Sequence, residues 1–419
     1  MRPHEVLSLL EMRKPSRSRI ARVLARSFTV EDFHREAIKR WPRGVRDYVD
    51  GGADGELSLG RNRRAFADFD LVPSILRDVS SVDLSSTILG DESALPFLLA
   101  PTGYTRMMHT DGERAVARAA RAASIPYAMA TMATVPIEEI ATSIGGDLWF
   151  QLYVWRDRVL VQDLLDRAAA NGYHKLILTV DTAVTGMRVR DMHNGFTLPP
   201  RLTPTSIMGI AAHPVWCISM LRGESVTFAN FATDVSGSSQ TVMEFAAQQF
   251  DSTVTWRDVE DIRALWPGYL IIKGILNPAD AQHAAAVGAD AVILSNHGGR
   301  QLDRARSPLD ALAEVRDRVG ADLQILLDSG IRHGSDLAIA LACGADACLI
   351  GRPYLYGLGA AGEAGVSAVI AILRDELRRV MQLLGVASIA QLRAEGPVAV
   401  RRRQHPASQH LGSANIHVN

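Results

Sequence analysis

The sequence predicts an α/β fold, a (β/α)8 TIM barrel with an N-terminal helical segment and a long insertion after strand 4. Three observations carry this. Eight short apolar runs between residues 96 and 350 alternate with helical patterns, the rhythm of βα units around a parallel sheet. Each run is continuously apolar, as strands covered on both faces must be. Nearly every run also delivers a polar group at its C-terminal end, which a barrel built only as a core does not need. The chain has 419 residues, 47% of them hydrophobic, enough for one large core.

Taken in order, residues 1–28 form a basic arm (Arg13, Lys14, Arg17, Arg19, Arg22, Arg26), expected to be solvated. Thr29 with Asp32 three positions on reads as a helix start of the capping-box kind. A second short helix follows Pro42 and ends at Gly51-Gly52. The eight strand runs are Pro96–Ala100, Tyr127–Thr131, Leu148–Tyr153, Leu176–Val180, Tyr269–Lys273, Ala291–Ser295, Leu323–Leu327 and Ala347–Ile350. The spacing breaks once, at 182–268, a stretch far longer than a crossover helix needs and therefore a lid, interface or membrane segment. Within it, Ser206–Leu221 is apolar and Asp234–Gln240 is Ser/Gly-rich. The barrel unit is assigned to 29–393, and 394–419, with Arg401–Arg403, is expected to be a disordered polar tail. Gly357-Leu-Gly-Ala-Ala-Gly362 matches GxGxxG, but Arg352-Pro353 stands between it and the preceding strand. It reads as close helix packing, not a dinucleotide site.

Charge and composition exclude several function classes. Lys plus Arg is 45 and Asp plus Glu is 46, so no overall basic field exists to bind nucleic acid. Three cysteines without CxxC spacing exclude a disulfide scaffold or a Cys-based zinc site, and no metal is expected. No apolar stretch of signal-peptide form follows Met1, and Ser206–Leu221 is too short to span a bilayer, so a cytoplasmic enzyme is expected, with peripheral contact at the inner membrane left open. Only four of the 45 cations are Lys (Lys14, Lys39, Lys175, Lys273), so a Lys in an apolar setting draws attention.

The strand ends supply the candidates. Lys273 follows Leu270-Ile271-Ile272; a buried ammonium needs a partner, and a ligand that develops negative charge would serve, with a Lys snorkelling to the barrel mouth as the competing reading. The loops Asp328–Arg332 and Gly351-Arg352 combine glycines with Arg where barrels commonly hold phosphate, ordinary turn glycines being the alternative. His297 stands in a polar strand-end loop and is a candidate general base or a hydrogen-bonded structural His. Asp181 could orient it if a closed barrel brings runs four and six together.

These residues also carry a resemblance. Ser295-Asn-His-Gly-Gly-Arg-Gln-Leu-Asp303 is similar to the signature of FMN-dependent L-2-hydroxy acid oxidases and dehydrogenases. Further matches in the right order are Asp47-Tyr48, Gly51-Gly52-Ala53, Ala100-Pro101-Thr102, Phe150–Tyr153, Thr179–Thr182, Arg188, Lys273-Gly274, Asp328-Ser329-Gly330 and Gly351-Arg352-Pro353. Within the family the pattern is most similar to bacterial L-lactate dehydrogenases, through Thr102-Gly103, Asn194-Gly195 and His213-Pro214-Val-Trp216.

The resemblance implies FMN as cofactor, held by Pro101, Thr102, Gly103, Ala130, Gln151, Thr179, Lys273 and Ser295 around the ring. Asp328, Gly330, Arg332, Gly351 and Arg352 would take the ribityl chain and phosphate. It implies that Arg188, Arg300 and Tyr48 bind the substrate carboxylate, that Tyr153 bonds near the substrate hydroxyl, and that His297 takes a proton with Asp181 stabilising the imidazolium. The implied reaction is oxidation of an L-2-hydroxy acid, foremost L-lactate, to the 2-oxo acid, with quinone or oxygen as the final acceptor and a homo-oligomer, a tetramer by analogy. One departure bears on substrate: members similar to glycolate oxidase read Ser-Ser-Trp where this chain has Ala130-Thr131-Met132. Met132 is deformable and admits a methyl or larger group. A tailoring enzyme acting on a larger biosynthetic or peptide-derived substrate is therefore the alternative.

Overall fold

A computed structural model of the chain describes residues 18–195, 204–231 and 248–403. Eight parallel strands close into a barrel: β1 (Phe97–Leu99), β2 (Tyr127–Ala130), β3 (Leu148–Tyr153), β4 (Lys175–Thr179), β5 (Tyr269–Ile275), β6 (Ala291–Leu294), β7 (Gln324–Leu327) and β8 (Ala347–Ile350). Each pairs with its sequence neighbours, and β8 returns to β1. All eight expected runs are present, shifted at their ends by at most a few residues.

Side chains alternate across a strand, so each strand sends one set inward and one outward. Outward residues such as Leu99, Phe150, Leu178, Ile272 and Ile350 pack with the surrounding helices in one large core. Inward residues Leu98, Ala128, Trp149, Ile177, Ile271, Ile293, Leu326 and Leu349 form a separate inner core. Ile88 and Leu89, from the hairpin Ser86–Ile88 and Asp91–Ser93, join that inner core. Two positions further along each strand, the same inward parity gives Ala100, Ala130, Gln151, Thr179, Lys273, Ser295, Asp328 and Gly351. The sequence thus places an apolar layer with a polar layer directly above it, at the C-terminal end where barrel chemistry resides.

At the opposite end, Lys175 begins β4 on the same inward parity. Its ammonium is buried, donates to both carboxylate oxygens of Asp147 at 3.0 Å and to Asp91, and lies 5.2 Å from the Trp149 ring.

The helical segment before the barrel forms as expected. Thr29 caps Val30–Ile38, with Asp32 completing the capping box, and Arg43–Asp50 ends at Gly51. The GxGxxG stretch lies in helix Arg352–Ala361, which packs on helix Glu363–Leu384. A Cβ on Gly357 would stand 2.4 Å from the Gly365 carbonyl oxygen, and one on Gly359 would overlap the Trp41 indole at 2.0 Å. Close packing is their role.

Two boundary expectations need correction. Within the basic arm, Arg19–Leu24 is a helix that buries Val23 and anchors Arg19 on the Ala360 carbonyl at 3.1 Å, because the unfilled carbonyls of helix Arg352–Ala361 attract a cation. Residues 13–17 lie outside the described residues. The tail does not begin at 394: Gly396–Ala399 is helical, and Val400–Arg402 pairs antiparallel with Phe69–Leu71, its ladder burying Val400. Residues 404–419 lie outside the described residues.

Between β4 and β5 the excursion contains helices Val189–His193, Pro204–Ala211 and Pro214–Arg222 and a short 3-10 turn, Ala229–Phe231. It is pinned to the barrel by Trp216, whose indole N–H donates to the Met107 carbonyl at 2.8 Å, and by buried Phe228 and Phe231. Arg106, also buried, donates to the Glu224 and Ser225 carbonyls. The Ser/Gly-rich stretch 234–240 lies outside the described residues.

Candidate active site

A cavity of about 260 Å³ opens at the C-terminal end of the barrel. Its floor is the polar layer. Gln151 donates from Nε2 to Thr179 Oγ1 at 3.0 Å, and its Oε1 accepts from the Thr131 backbone N–H at 3.3 Å, which fixes the amide orientation. Lys273 is almost fully buried; its Nζ donates to Ser295 Oγ at 3.0 Å and stands 3.4 Å from Asp328 Oδ2. The register sets Tyr153 beside Thr179 and Thr179 beside Lys273, so three neighbouring strands present a contiguous polar row. The snorkelling alternative for Lys273 does not apply.

Along one wall run Pro101, Thr102, Gly103, Ala130 and Met132. Gly103 is tightly placed, since a Cβ there would meet Met132 Cβ at 3.1 Å. At the far end lie Gly330, Arg332, Gly351 and Arg352. A Cβ on Gly351 would touch only Ala100 Cβ at 3.8 Å, so the space above Gly351 is open. Gly330, with φ of +106°, serves a close approach instead: a Cβ there would stand 2.3 Å from the Asn62 carbonyl oxygen.

Arg352 differs in part from its expected role. It is buried, and three of its N–H groups donate to the carbonyls of Val49, Gly51 and Gly298 at 2.8–2.9 Å. Burial lowers its pKa to about 10. It ties helix Arg43–Asp50 to the His297 loop as well as lining the cavity.

On the opposite side, His297 Nδ1 meets Asp181 Oδ1 at 3.0 Å. His297 adopts φ of +58°, and its own N–H donates to Ser295 Oγ at 3.0 Å. With Nδ1 engaged, Nε2 is the ring nitrogen left for a ligand. Burial raises the Asp181 carboxyl pKa, but the charge and hydrogen bond of His297 and the charge of Lys273 outweigh it, and the net shift is downward. Asp181 and Ser295 stand behind the cavity wall and act through His297 and Lys273.

Arg300 lies 4.8 Å from the Tyr48 ring and donates from Nη1 to the Tyr48 and Gly51 carbonyls, leaving its other N–H groups for a ligand. Burial and the neighbouring Arg188 charge lower its pKa. Arg188 is held by Asp191 at 2.8 Å. Burial raises the pKa of Tyr48 and, joined by the Asp181 charge, that of Tyr153, so both phenols remain protonated donors.

Apart from Asp181 and Ser295, the expected site residues all line one cavity. Sequence reading missed Asn62 and Asn296, which exchange two side-chain hydrogen bonds at 2.7 and 2.6 Å and lock the His297 loop to helix Leu57–Ala67. It also missed Ser329, which accepts from the Gly298 N–H at 3.0 Å, and the wall residues Tyr104, Met107 and Phe250. Asn296 lies inside the quoted motif, but its partner is remote in sequence. Phe250 lies within the excursion, where strand periodicity gives no signal.

The profile of the family described as FMN-dependent dehydrogenase matches residues 37–398. The chain belongs to the FMN-dependent dehydrogenase family. It is 42% identical over 364 residues to an L-lactate dehydrogenase of Caulobacter vibrioides, covering 86% of this chain and 95% of that one. It is 40% identical over 365 residues to an (S)-mandelate dehydrogenase of Pseudomonas putida, covering 87% and 92%. A crystal structure titled as the monotopic membrane protein (S)-mandelate dehydrogenase superposes with a TM-score of 0.86 at 39% identity, covering 90% of this dehydrogenase and all of that chain.

The cavity of this dehydrogenase fits its cofactor. A buried ammonium, a fixed amide and a hydroxyl line the barrel end, and open space lies over Gly351. Among the described residues there is no cluster of three His, Cys, Asp or Glu that could hold a metal, and no helix is long and apolar enough to cross a membrane.

Proposed function

We propose that this dehydrogenase oxidises an L-2-hydroxy acid, foremost L-lactate, to the 2-oxo acid, with His297 as general base. The observation that carries this reading is the His297–Asp181 pair facing the same cavity as Arg300, Arg188 and Tyr48. A base, a carboxylate clamp and a cofactor floor on one cavity are what removal of two hydrogens from a hydroxy acid requires.

FMN, when bound, supplies the two-electron acceptor. Gln151, Thr179 and Lys273 would hold its ring, and Arg332 and Gly351 its phosphate end. Arg300, with Arg188 and Tyr48, would orient the substrate carboxylate, and the phenol of Tyr153 would donate to the substrate oxygen at C2. His297 Nε2 takes one of the protons the hydroxy acid gives up on becoming the 2-oxo acid. The Asp181 carboxylate, held ionised, stabilises the resulting imidazolium and fixes the ring orientation.

The excursion supports quinone at a membrane surface as electron acceptor. Helices Pro204–Ala211 and Pro214–Arg222 expose Ile207, Met208, Val215, Ile218 and Leu221, the last 80% exposed. Such a cluster of large apolar side chains fits shallow burial in a lipid interface, and the superposed mandelate dehydrogenase is titled monotopic.

Anaerobic mixing of the holoenzyme with L-lactate tests the reading: the flavin absorbance should bleach. Failure to bleach with any member of an L-2-hydroxy acid panel overturns it. Reoxidation of the reduced enzyme faster by a quinone analogue than by air is expected; rapid reoxidation by air with stoichiometric peroxide identifies an oxidase instead.

A further inference from the structure

We propose that Tyr104 is a specificity-determining substrate contact, its phenol donating a hydrogen bond to an oxygen on the side chain of the 2-hydroxy acid. This deepens the function proposed above and rests on it.

The argument starts from placement. Tyr104 follows Gly103 directly and adopts φ of +58°, a backbone conformation that a bulky residue rarely takes. That turn holds its ring in the wall of the active-site cavity. Tyr48 meets the ring edge-on, with centroids 5.7 Å apart, and Phe228 lies at 4.5 Å, so the ring is clamped between the carboxylate site and the returning excursion. Its backbone N–H donates to the Met132 carbonyl at 3.2 Å. Tyr104 and Met132 therefore form one stretch of wall.

The residue is 7% exposed, yet among the described residues nothing accepts from or donates to its hydroxyl. Buried phenols ordinarily find a partner, because an unsatisfied one keeps its desolvation cost. Tyr354 donates to the Ala100 carbonyl, Tyr173 to the Ile137 carbonyl and Tyr356 to Asp50, whereas the hydroxyl of buried Tyr127 has no partner among the described residues but does not line the cavity; Tyr104 does. Burial together with the Tyr48 hydroxyl holds the Tyr104 phenol protonated, so it is a donor. A phenylalanine would fill the same apolar clamp without leaving a polar atom unpaired.

Position selects the acceptor. The substrate carboxylate already has Arg300, Arg188 and Tyr48, and the C2 oxygen has Tyr153 and His297. The wall shared with Met132 is left to the substrate side chain. A hydroxyl or carbonyl oxygen at C3 would accept from Tyr104; the methyl of lactate has nothing to offer it. The contact extends the substrate class of the site to short 2-hydroxy acids oxygenated at C3.

The test compares L-glycerate with L-lactate, which differ only by the C3 hydroxyl, using anaerobic flavin reduction by the wild-type holoenzyme and Tyr104→Phe. The expected result is flavin reduction by both acids in the wild type, and a fall of about fivefold or more in the glycerate-to-lactate ratio of kcat/KM in the variant, the size of one neutral hydrogen bond. A ratio that the substitution leaves unchanged overturns the proposal, as does an equal loss on both substrates, which would place the phenol on the carboxylate. Absence of flavin reduction by every 2-hydroxy acid tried would instead overturn the underlying function.

Discussion

His297 and Asp181 lie 116 positions apart in the chain, yet Nδ1 of the one meets Oδ1 of the other at 3.0 Å. The contact depends on Gly274. A Cβ at that position would stand 2.6 Å from Asp181 Cβ, and its φ of +112° is one that other residues rarely adopt. The register shift in β5 between Lys273 and Ile275 falls on the same glycine. One backbone irregularity thus brings the carboxylate under the imidazole.

His297→Gln should retain FMN and lose roughly a thousandfold or more in the rate of flavin reduction, since the proposed proton acceptor is gone. Stopped-flow reduction alongside the visible spectrum measures both. A variant that no longer holds FMN would mark His297 as structural.

Gly274→Ala should displace Asp181 without removing any acid–base group. A fall in kcat of about ten- to a hundredfold is expected, with KM changed far less, because orientation of the base is lost and not the carboxylate clamp. Equal changes in kcat and KM would speak against a positioning role.

Lys273 is the buried cation of the cavity floor, on which the flavin is proposed to lie. Lys273→Met should slow flavin reduction by about a hundred- to a thousandfold, the usual loss when a fixed group facing developing negative charge is removed. Lys273→Arg keeps the charge but not the compact ammonium that reaches Ser295 and Asp328, so only partial rescue is expected. An arginine variant as fast as wild type would show that charge alone suffices.

Lys175 makes the opposite case. It bonds Asp147 and Asp91 at the far end of the barrel from the chemistry. Lys175→Met should cost about 1.5–3 kcal/mol of stability, as for hydrogen bonds to a charged group, with hydration of the partly exposed carboxylates moderating the loss. Thermal unfolding should show a lower Tm while flavin reduction at 25 °C is unaltered. An unchanged Tm would refute this.

His34 gives a pH-dependent term. Its Nε2 lies 2.8 Å from Asp50, whose hydrogen bond raises the imidazole pKa above 6.5, while burial of Asp50 is outweighed by His34 and its carboxyl stays below 3.8. The His34 contribution is complete below its ordinary pKa and fades as pH rises through the folded value. The Asp50 contribution is present above its ordinary pKa and fades as pH falls through the folded one. The Tm difference between wild type and His34→Asn should therefore be widest near about pH 5–6 and shrink by about pH 8.5. A difference that grows with pH would contradict this.

Much of the site was legible because barrel geometry converts strand periodicity into position. Lys273, Gln151, Thr179 and Ser295 sit two residues beyond inward apolar positions, so parity alone puts them on one floor. Arg352 was only half legible: its residue type suggested an anion partner, whereas its bonds to the Val49, Gly51 and Gly298 carbonyls arise from segments that meet only after folding. The tail was misread for a similar reason, since Val400–Arg402 becomes a strand through pairing with Phe69–Leu71, a partner that local composition does not reveal.

By itself the sequence determined the barrel, the order of its strands and the residue types at its catalytic rim, because these follow from apolar periodicity and from motifs local in the chain. Tertiary structure alone decided that Asp181 reaches His297, that Asn62 locks Asn296, that Lys175 is a buried ion-pair centre and that Tyr104 lines the active-site cavity. Each of these depends on distances between segments remote in sequence, set by strand register, glycine contacts and the closure of the barrel, which no local pattern encodes.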